Sequence, residues 1–332
     1  MKNDQKTILS GIQPSGELHL GNYFGAMRQH IRMQTEGDAF YFLANYHSLT
    51  SLNDGDRLRE YTEEIVLDYL ALGLDPEQCT IFAQSDVPQT TELAWILGCL
   101  TPVSMMEKGV SYKDKVSSGL KPNIGLFTYP VLQAADILIY RSNIVPVGED
   151  QKQNIEIARD LAGKFNRTFG DHILTIPEEY IVKSVAVVPG VDGRKMSKSY
   201  GNTIGIFEEG KSLGKRVMSI KTDSAGLSDP KDPERCNVFS LIRLFASPEK
   251  ISELEQAYRN GGYGYGDAKK ELLKLINEHF SEARERREKL GADRSILYDI
   301  LKEGGNKARE RAEEVMEVVR SAAGLTRNFT YP

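Results

Sequence analysis

The sequence predicts an α/β protein in which a parallel sheet covered by helices is followed by an all-helical domain. Apolar strand-like runs alternate with helical patterns over roughly the first 200 residues, which is typical of such a sheet. After about Ile206 the strand signal disappears and charged helical patterns dominate. A chain of 332 residues is also long for one domain. We expect an α/β domain at 1–205, a helical domain at 206–295 and a C-terminal helical segment at 296–332. The helical pattern of this last segment is recognisable only from about Lys307 to Ala323.

The composition is that of an ordinary water-soluble globular protein, with 40% hydrophobic and 27% charged residues. We identify no secretory or transit segment, and the apolar runs are too short to span a membrane. Cys79, Cys99 and Cys236 are odd in number, widely spaced and without metal-ligand spacing, so a reducing cytoplasm fits better than a disulfide framework. The net charge of -5 argues against a general nucleic-acid coat, but it allows a local basic face.

The first predicted strand, Thr7–Ile12, leads into a turn at 13–16 and then a helix opened by His19, Gly21 and Asn22. The first amides of a helix are unpaired and its dipole favours negative charge, so this junction is suited to binding an anion. Glycine would let a ligand approach the backbone closely. The alternative interpretation is a tight connection with His19 as a surface residue.

Two further strands are predicted at 39–44 and 79–84. The helical patterns that follow them lie at 58–72 and 91–100. Ligands of parallel sheets bind beyond the carboxyl ends of the strands. Gln13, His19 and His47 all come directly after strands, and one crevice could therefore gather them.

The segment at about 102–128 has a weaker pattern, with lysines among glycines and serines. Lys115 is one of these lysines. We interpret the segment as a basic, solvated connector.

A strongly apolar helix is predicted to start in the segment Thr128-Tyr129-Pro130, where the proline would occupy its first helical position. Tyr129, Gln133 and Asp136 fall on one face of it. An aspartate in a buried helix needs a partner. That partner is either a nearby backbone N–H or tyrosine hydroxyl, or a donor on a bound ligand.

A fourth strand at 143–147 leads into Gly148 and Asp150, and the sheet is predicted to close with a strand at 186–188. Asp150 could cap the next helix. Alternatively, it could accept hydrogen bonds from ribose hydroxyls, with Gly148 permitting close approach.

The segment 193–202 is predicted to be an exposed signature loop. Its central string is Lys195-Met196-Ser197-Lys198-Ser199. Two ammonium groups cannot be buried without partners. Lysines, hydroxyls and backbone amides together are suited to binding phosphate. For an arbitrary basic string of this kind, a solvated turn is the commoner meaning.

The helical region carries Arg284, Arg286 and Arg287 among glutamates. A solvated, salt-bridged face is the usual meaning of this pattern, and a nucleic-acid surface is the alternative.

The string at 195–199 matches the second signature of the class I aminoacyl-tRNA synthetases, and the segment 19–22 stands where their first signature stands. Four further strings, at 10–16, 128–138, 145–153 and 232–237, resemble the bacterial tryptophanyl-tRNA synthetases. The similarity extends along nearly the whole chain. Each string is weakly specific alone, whereas the combination is highly specific.

The resemblance implies a Rossmann-like nucleotide-binding domain with ATP carried as its magnesium complex. The implied ATP contacts are Gln13, Pro14, Ser15, His19, Gly21, Asn22, Gly148, Glu149, Asp150, Val187, Lys195, Met196, Ser197, Lys198 and Ser199. Lys195, Lys198 and Lys115 are the implied catalytic residues, acting on the phosphates. The implied tryptophan pocket comprises Asp136, Tyr129, Gln133, His47, Gln151 and Leu9.

The resemblance also implies a homodimer that charges tRNA(Trp) with L-tryptophan in the cytoplasm. The helical domain at 206–295 would bind the anticodon, and the segment 296–332 would pack back on the first domain. No membrane association is implied. Some family members carry an iron–sulfur cluster in the helical region, but only Cys236 lies there, so we expect none.

The chain departs from its family at three positions. Asn22 replaces the second histidine of the first signature, as in many members of this branch, while Gln133 and Leu9 replace a methionine and a phenylalanine of several members. The last two changes affect the pocket lining.

Three alternatives to a tryptophan-specific synthetase remain: tyrosyl specificity, a small-molecule nucleotidylyltransferase, and a non-catalytic RNA-binding relative. The second would not need the helical region, and two intact signatures argue against the third.

Overall fold

The computed structural model of the chain describes residues 6–107, 119, 121–148, 151–181 and 187–325. They form two compact units. Unit one comprises the described residues of 1–16, 30–183 and 293–332, and unit two comprises those of 17–29 and 184–292. Each unit is described by itself below.

Unit one is built on a five-stranded parallel sheet with the order β3-β2-β1-β4-β5. The strands are β1 (Thr7–Ile12), β2 (Asp38–Leu43), β3 (Thr80–Ala83), β4 (Ile144–Val147) and β5 (Glu178–Ile181). This is the strand order of a Rossmann-like sheet, and it reverses direction between β1 and β4. The predicted fold class is therefore confirmed, and the carboxyl ends of β1 and β4 flank the place where such sheets bind ligands.

The prediction of a last strand at 186–188 was wrong. β5 pairs with β4 from Glu178 opposite Ile144 to Ile181 opposite Val147. Two glutamates at its start hide its apolar pattern in the sequence. Val188 instead accepts a hydrogen bond from the backbone of Met196 (2.8 Å), so its carbonyl is used by the signature loop. Ala186 lies outside the described residues.

The helices alternate with the strands and then continue alone. In chain order they are α1 (Leu20–Asn22), a π-helical turn (Tyr23–Met27), α2 (Arg28–Met33), α3 (Asn45–Ser48), α4 (Gly55–Leu72), α5 (Gln89–Leu100), α6 (Val103–Glu107), α7 (Ile124–Ile139), α8 (Lys152–Phe169), α9 (Gly210–Met218), α10 (Asn237–Phe245), α11 (Pro248–Asn260), α12 (Tyr265–Ala292) and α13 (Ser295–Ala322). None of the described helices is both long and apolar enough to cross a membrane.

The start of α7 differs from the prediction. Asn123 caps the helix by accepting a hydrogen bond from the backbone of Leu126 (2.8 Å). The helix therefore begins at Ile124, and Pro130 lies inside it rather than at its first position. This earlier start leaves Tyr129 and Asp136 in the buried part of the helix.

Helix α13 starts at Ser295, whereas the sequence indicated its helical pattern only from about Lys307. The pair Gly304 and Gly305 interrupts that pattern because glycine is a poor helix former. In the structure these glycines have a packing reason. A Cβ on Gly304 would stand 1.9 Å from the carbonyl oxygen of Ile81 in β3, so the helix packs directly against the strand backbone.

The C-terminal half of α13 completes the core of unit one. Ala308, Ala312 and Val315 are buried in the same hydrophobic cluster as Phe82 of β3. The Arg309 guanidinium also donates to the carbonyl of Asp86, at 2.8 and 3.0 Å. The helix is thus fixed to the sheet by both apolar and polar contacts.

We expect Gly304→Ala to lower the free energy of unfolding of unit one by about 1–3 kcal/mol, because the new methyl group must displace α13 from the backbone of β3. Thermal or urea unfolding measures the change. The matched control is Gly98→Ala on α5, where a Cβ would meet no atom within 4 Å. The control should be neutral or slightly stabilising. Equal stability of the two variants would contradict the packing argument.

Unit two holds an aromatic cluster that connects the first helical segment to α12. The Tyr23 hydroxyl lies 2.9 Å from Nε2 of His279, and its ring contacts Phe24 and Phe280 at centroid distances of 4.9 and 5.0 Å. Phe245 of α10 packs against the His279 ring at 5.2 Å. The segment that carries the first signature is therefore part of the core of unit two.

Candidate functional site

A buried carboxylate held by two side chains is the main polar feature of unit one. Asp136 on α7 is only 2% exposed. Nε2 of Gln84 donates to both of its oxygens, at 2.8 and 2.9 Å, and Nε2 of His47 lies 2.9 Å from Oδ2. Burial raises the pKa of Asp136, while the hydrogen bonds from His47 and Gln84 oppose that rise. We call Asp136, His47, Gln84 and Tyr129 the Asp136 cluster.

The elements that position this cluster follow neighbouring strands. His47 lies on α3, directly after β2, and Gln84 follows β3 without a gap. Gln84 is 1% exposed, and its Oε1 accepts a hydrogen bond from the backbone of Tyr46 (3.0 Å), which fixes the direction of the amide. Gln84 was not among the site residues predicted from the sequence. The position after a strand, which selected His47 and Gln13, was the signal that could have found it.

The hydrogen-bond partners of Asp136 distinguish its two interpretations, a carboxylate satisfied within the protein and an acceptor for a ligand. Its described partners are side chains of other elements, neither a backbone N–H nor a tyrosine hydroxyl. Oδ2 receives two of the described hydrogen bonds and Oδ1 receives one, whereas a carboxylate has about four acceptor positions. The carboxylate is therefore oriented by Gln84 and His47 and retains capacity for a further donor. The Tyr129 ring stands edge-on to the His47 ring, with centroids 6.3 Å apart.

Three more of the predicted residues, Gln133, Gln151 and Gln13, form side-chain hydrogen bonds. Oε1 of Gln151 receives Nε2 of Gln133 at 3.4 Å and Nδ2 of Asn154 at 3.0 Å. Nε2 of Gln13 donates to the backbone carbonyl of His47 at 3.3 Å. The structure thus brings Gln133 next to Gln151, and Gln13 next to His47. The single crevice for Gln13, His19 and His47 stays a prediction.

The other predicted site residues of unit one differ in their burial. Leu9 is 1% exposed, in the hydrophobic core. The carbonyl of Pro14 accepts from the Ser48 hydroxyl (2.8 Å), while Ser15 is exposed. Gly148 is exposed, and its carbonyl accepts from the backbone of Gln151 (3.0 Å). Lys115, Glu149 and Asp150 lie outside the described residues.

In unit two the backbone around the first signature pairs with the segment that follows the signature loop. The backbone of Leu20 donates to the carbonyl of Ile204 at 3.0 Å, and that of Ile206 donates to the carbonyl of Leu18 at 3.2 Å. A Cβ on Gly21 would stand 2.9 Å from both Cε1 and Nδ1 of the His19 ring and 3.4 Å from Cβ of Met196. The absence of a side chain at position 21 therefore leaves room for the His19 ring.

His19 is a buried, neutral imidazole. Burial, together with the positive charge of Lys198, lowers its pKa to about 4. Within the described part of the chain its Nδ1 has no hydrogen-bond partner, which is unusual for a buried polar atom. Asn22 is used locally, since its Oδ1 accepts from the backbone of His19 at 3.1 Å. The first signature thus presents an unsatisfied ring nitrogen, which fits a polar ligand.

The signature loop, residues 193–202, is anchored at its centre and exposed at its lysines. Met196 is 4% exposed, whereas Lys195 and Lys198 are both exposed residues. Partial desolvation of its ammonium lowers the pKa of Lys198 to about 8, although the charge of Glu17 opposes this. Val187, just before the loop, is 66% exposed. Two lysines close to a helix start and a neutral imidazole can bind phosphate groups.

The arginines of α12 do not all face solvent. The Arg284 side chain is 12% exposed and pairs with Glu209 at 2.9 Å. It also donates to Oδ1 of Asn277 and to the carbonyl of Glu208, both at 2.9 Å. Arg284 is thus part of the internal packing of unit two. Arg286 contacts Glu282 at 3.5 Å and is 46% exposed.

The chain is similar to known proteins along nearly its whole length. Residues 1–281 match the family described as class I tRNA synthetases for W and Y. The chain is 52% identical to a tryptophan–tRNA ligase of Fusobacterium nucleatum over 98% of this chain and 99% of that protein. It is 48% identical to a tryptophan–tRNA ligase of Rhodopirellula baltica over 96% and 99% of the two chains.

A solved structure is also similar along its whole length. It is the tryptophanyl-tRNA synthetase of Campylobacter jejuni in complex with ADP and tryptophan, with a TM-score of 0.89 and 48% sequence identity. The match covers 96% of this chain and 100% of that one. The chain described here therefore belongs to the bacterial tryptophanyl-tRNA synthetases of the class I aminoacyl-tRNA synthetase family.

Proposed function

We propose that the protein activates L-tryptophan with ATP, releases pyrophosphate, and transfers tryptophan from the adenylate to the 3′ end of tRNA(Trp). The observation that carries this proposal is the buried, oriented carboxylate of Asp136, an acceptor suited to the indole N–H. Family membership supports the same reaction. We propose that the protein acts in the cytoplasm, where it would meet ATP, L-tryptophan and tRNA(Trp).

In the proposed first step, a carboxylate oxygen of tryptophan attacks the α-phosphorus of ATP. The new O–P bond forms as the bond from the α-phosphorus to the bridging oxygen breaks, and pyrophosphate leaves with the electron pair. No protein nucleophile is required. The protein contributes positioning and stabilisation of negative charge, for which we propose Lys195, Lys198 and Lys115.

The nucleotide would lie against the backbone and short side chains that follow the strands and the first signature. His19 would use its unsatisfied Nδ1 toward this ligand. The other proposed contacts are Gln13, Pro14, Ser15, Gly21, Asn22, Gly148, Glu149, Asp150, Val187, Met196, Ser197 and Ser199.

Magnesium would enter with the nucleotide. Among the described residues no three His, Cys, Asp or Glu side chains are arranged to hold a metal ion. We propose that the ion is bound through the ATP phosphate oxygens. The ion would neutralise phosphate charge, and the lysines would act on the same groups.

For the tryptophan pocket we propose that Asp136 binds the indole N–H while Tyr129, His47 and Leu9 form the walls. Gln133 and Gln151, which hydrogen-bond to each other, would contact the polar end of the substrate. Indole N–H is a donor only, so the pocket needs one fixed acceptor.

The experiment that tests the function is pyrophosphate–ATP exchange measured with each of the amino acids in turn. Tryptophan should support exchange far better than any other. Exchange that depended on tyrosine would indicate tyrosyl specificity, and incorporation that needed no amino acid would indicate a nucleotidylyltransferase. Failure of every amino acid to support exchange would favour a non-catalytic relative.

We propose that the helical region 206–295 binds the anticodon, with 296–332 supporting the first domain. The arginines of α12 then divide into two groups. Arg286 is exposed, and Arg287 is half-buried with its guanidinium 4.9 Å from the centre of the Phe207 ring. Arg284 is paired internally. Charge reversal of Arg286 and Arg287 should weaken tRNA charging, reduce its salt slope by about two and leave adenylate formation intact. Arg284→Ala should instead lower the unfolding temperature, because Arg284 is paired internally. Equal loss of adenylate formation in the first variant would make those arginines structural.

We further propose a homodimer formed through unit one. Trp95 on α5, Val103 on α6 and Ile124 on α7 are 76%, 64% and 78% exposed, and both α5 and α6 contact α7. Large exposed apolar groups on adjoining elements are typical of interaction surfaces. Sedimentation should give a dimer for the native protein and a monomer for Trp95→Glu. Leu227→Glu, 62% exposed in unit two, is the control that should remain dimeric. A monomeric native protein would contradict the proposal.

A further inference from the structure

Asn202 is the most connected side chain of the signature loop. It is 1% exposed. Its Oδ1 accepts from the backbone N–H of Ser197 at 2.8 Å, and its Nδ2 donates to Oδ1 of Asp192 at 2.7 Å and to the carbonyl of Lys195 at 3.1 Å. One side chain therefore connects three points of the segment that carries both lysines.

The chemistry of these partners specifies an amide. A backbone N–H can only donate, and a carbonyl can only accept, so the Asn202 oxygen and nitrogen are assigned without ambiguity. A carboxylate at this position would keep the bond from Ser197 and would face Asp192 and the Lys195 carbonyl with no donor.

The surrounding backbone is shaped around this amide. A Cβ on Gly190 would stand 2.3 Å from Cγ of Asn202, so only glycine fits beside it. The Val191 amide donates to the Asn202 carbonyl at 2.9 Å, and the Gly190 amide donates to the carbonyl of Arg194 at 2.7 Å. Asp192 is further paired with Arg194, whose guanidinium lies 4.3 Å over the Tyr200 ring. The loop is thus closed on itself around Asn202.

We infer that Asn202 is a positioning residue for adenylate formation, which fixes the backbone that carries Lys195 and Lys198 before substrate binds. This inference rests on the proposed function of those lysines. Asn202 touches the loop backbone and acts on the phosphates only through it. The bond to Ser197 and the bond to the Lys195 carbonyl lie between the two lysines, so both Cα positions are constrained.

Loss of this constraint should affect the rate rather than the binding of tryptophan. A displacement of about 1 Å of a positioned group can cost about a hundredfold in rate. We expect Asn202→Ala and Asn202→Asp to lower kcat for pyrophosphate exchange by up to about a hundredfold while KM for tryptophan stays unchanged. Asn202→Asp should retain the larger part of the Ser197 contact.

The matched control is Lys231→Met. Lys231 is 4% exposed, and its ammonium donates to the carbonyls of Gly226, Leu227 and Asp229, so this variant also removes three buried hydrogen bonds of unit two. It should lower the unfolding temperature but leave kcat unchanged. A proportional fall of kcat and stability in all three variants would make the role of Asn202 merely structural.

Lys198→Ala is measured beside these variants to separate the proposed function of the loop from the inference about Asn202. If Lys198→Ala keeps native exchange, the proposed function of the loop fails. If Lys198→Ala is slow while both Asn202 variants keep native kcat, only the present inference fails. Hydrogen exchange of the native protein gives a test that needs no folded variant. The Ser197 amide should be protected without substrate, and exchange at the rate of an unstructured chain would overturn the inference.

Discussion

Replacing Lys198 with alanine should slow adenylate formation by about a hundredfold or more, because one charged transition-state donor contributes roughly 3 kcal/mol. Lys195→Ala should behave in the same way. Tryptophan binding should be little affected, since these exposed lysines are proposed to act on the phosphates. Stronger binding to the transition state than to the ground state is what raises a rate. Pyrophosphate exchange measures kcat, and equilibrium titration measures tryptophan affinity.

The pH dependence gives an independent check on Lys198. Its pKa is lowered to about 8, so its ammonium is charged below that pH and becomes neutral above it. We expect kcat/KM for ATP to fall as pH rises through about 8, because kcat/KM reports the free enzyme. In Lys198→Arg the fall should disappear, since a guanidinium stays protonated. Lys211→Ala, which removes an exposed lysine of α9, is the control.

Native pyrophosphate exchange in both Lys195→Ala and Lys198→Ala would contradict the proposed role of these two lysines.

Replacing Asp136 with alanine should remove most of the preference for tryptophan over phenylalanine. A pocket built to hydrogen-bond its substrate leaves the acceptor unpaired when an analogue without the donor enters, and the discrimination can reach roughly ten-thousandfold. Asp136 is buried and oriented by Gln84 and His47, which is the arrangement that this mechanism requires. KM for tryptophan should rise, and the tryptophan-to-phenylalanine ratio of kcat/KM should fall. ATP binding should stay near native.

Two variants sharpen this test. Asp136→Asn has nearly the same shape and keeps one acceptor oxygen, so part of the preference should remain. Gln84→Met leaves the carboxylate in place and removes the two hydrogen bonds with which Gln84 orients it, so it should show a smaller loss of the same kind. A folded Asp136→Ala variant with an unchanged substrate ratio would show that the carboxylate is a structural group held by Gln84 and His47.

The sequence predicted those features that depend on local pattern. The alternation of β1, β2, β3 and β4 with helices follows from apolar periodicity, and the structure confirms it. The proximity of Gln13 and His47 follows from their positions after parallel strands. Asp136 was singled out because a carboxylate in an apolar helix is rare without a partner.

Features that depend on tertiary packing could not be predicted. The partners of Asp136 come from α3 and from the turn after β3. Its position after a strand could have selected Gln84, but no local pattern pairs Gln84 with Asp136. The start of α13 was hidden because Gly304 and Gly305 are poor helix formers, and their fit against β3 exists only in the folded chain. The acidic start of β5 likewise conceals a strand that pairing with β4 specifies.

The packing of α13 against β3 has a consequence for the nascent chain. β3 is an edge strand of the sheet, and exposed strand edges promote aggregation. Translation proceeds at about 5–20 residues per second, so the roughly two hundred residues between Ala83 and Ser295 take about 10–40 s to appear. During that interval the ribosome holds a sheet whose edge still lacks its covering helix. The packing of α13 against β3 therefore cannot form until most of the chain has been synthesised.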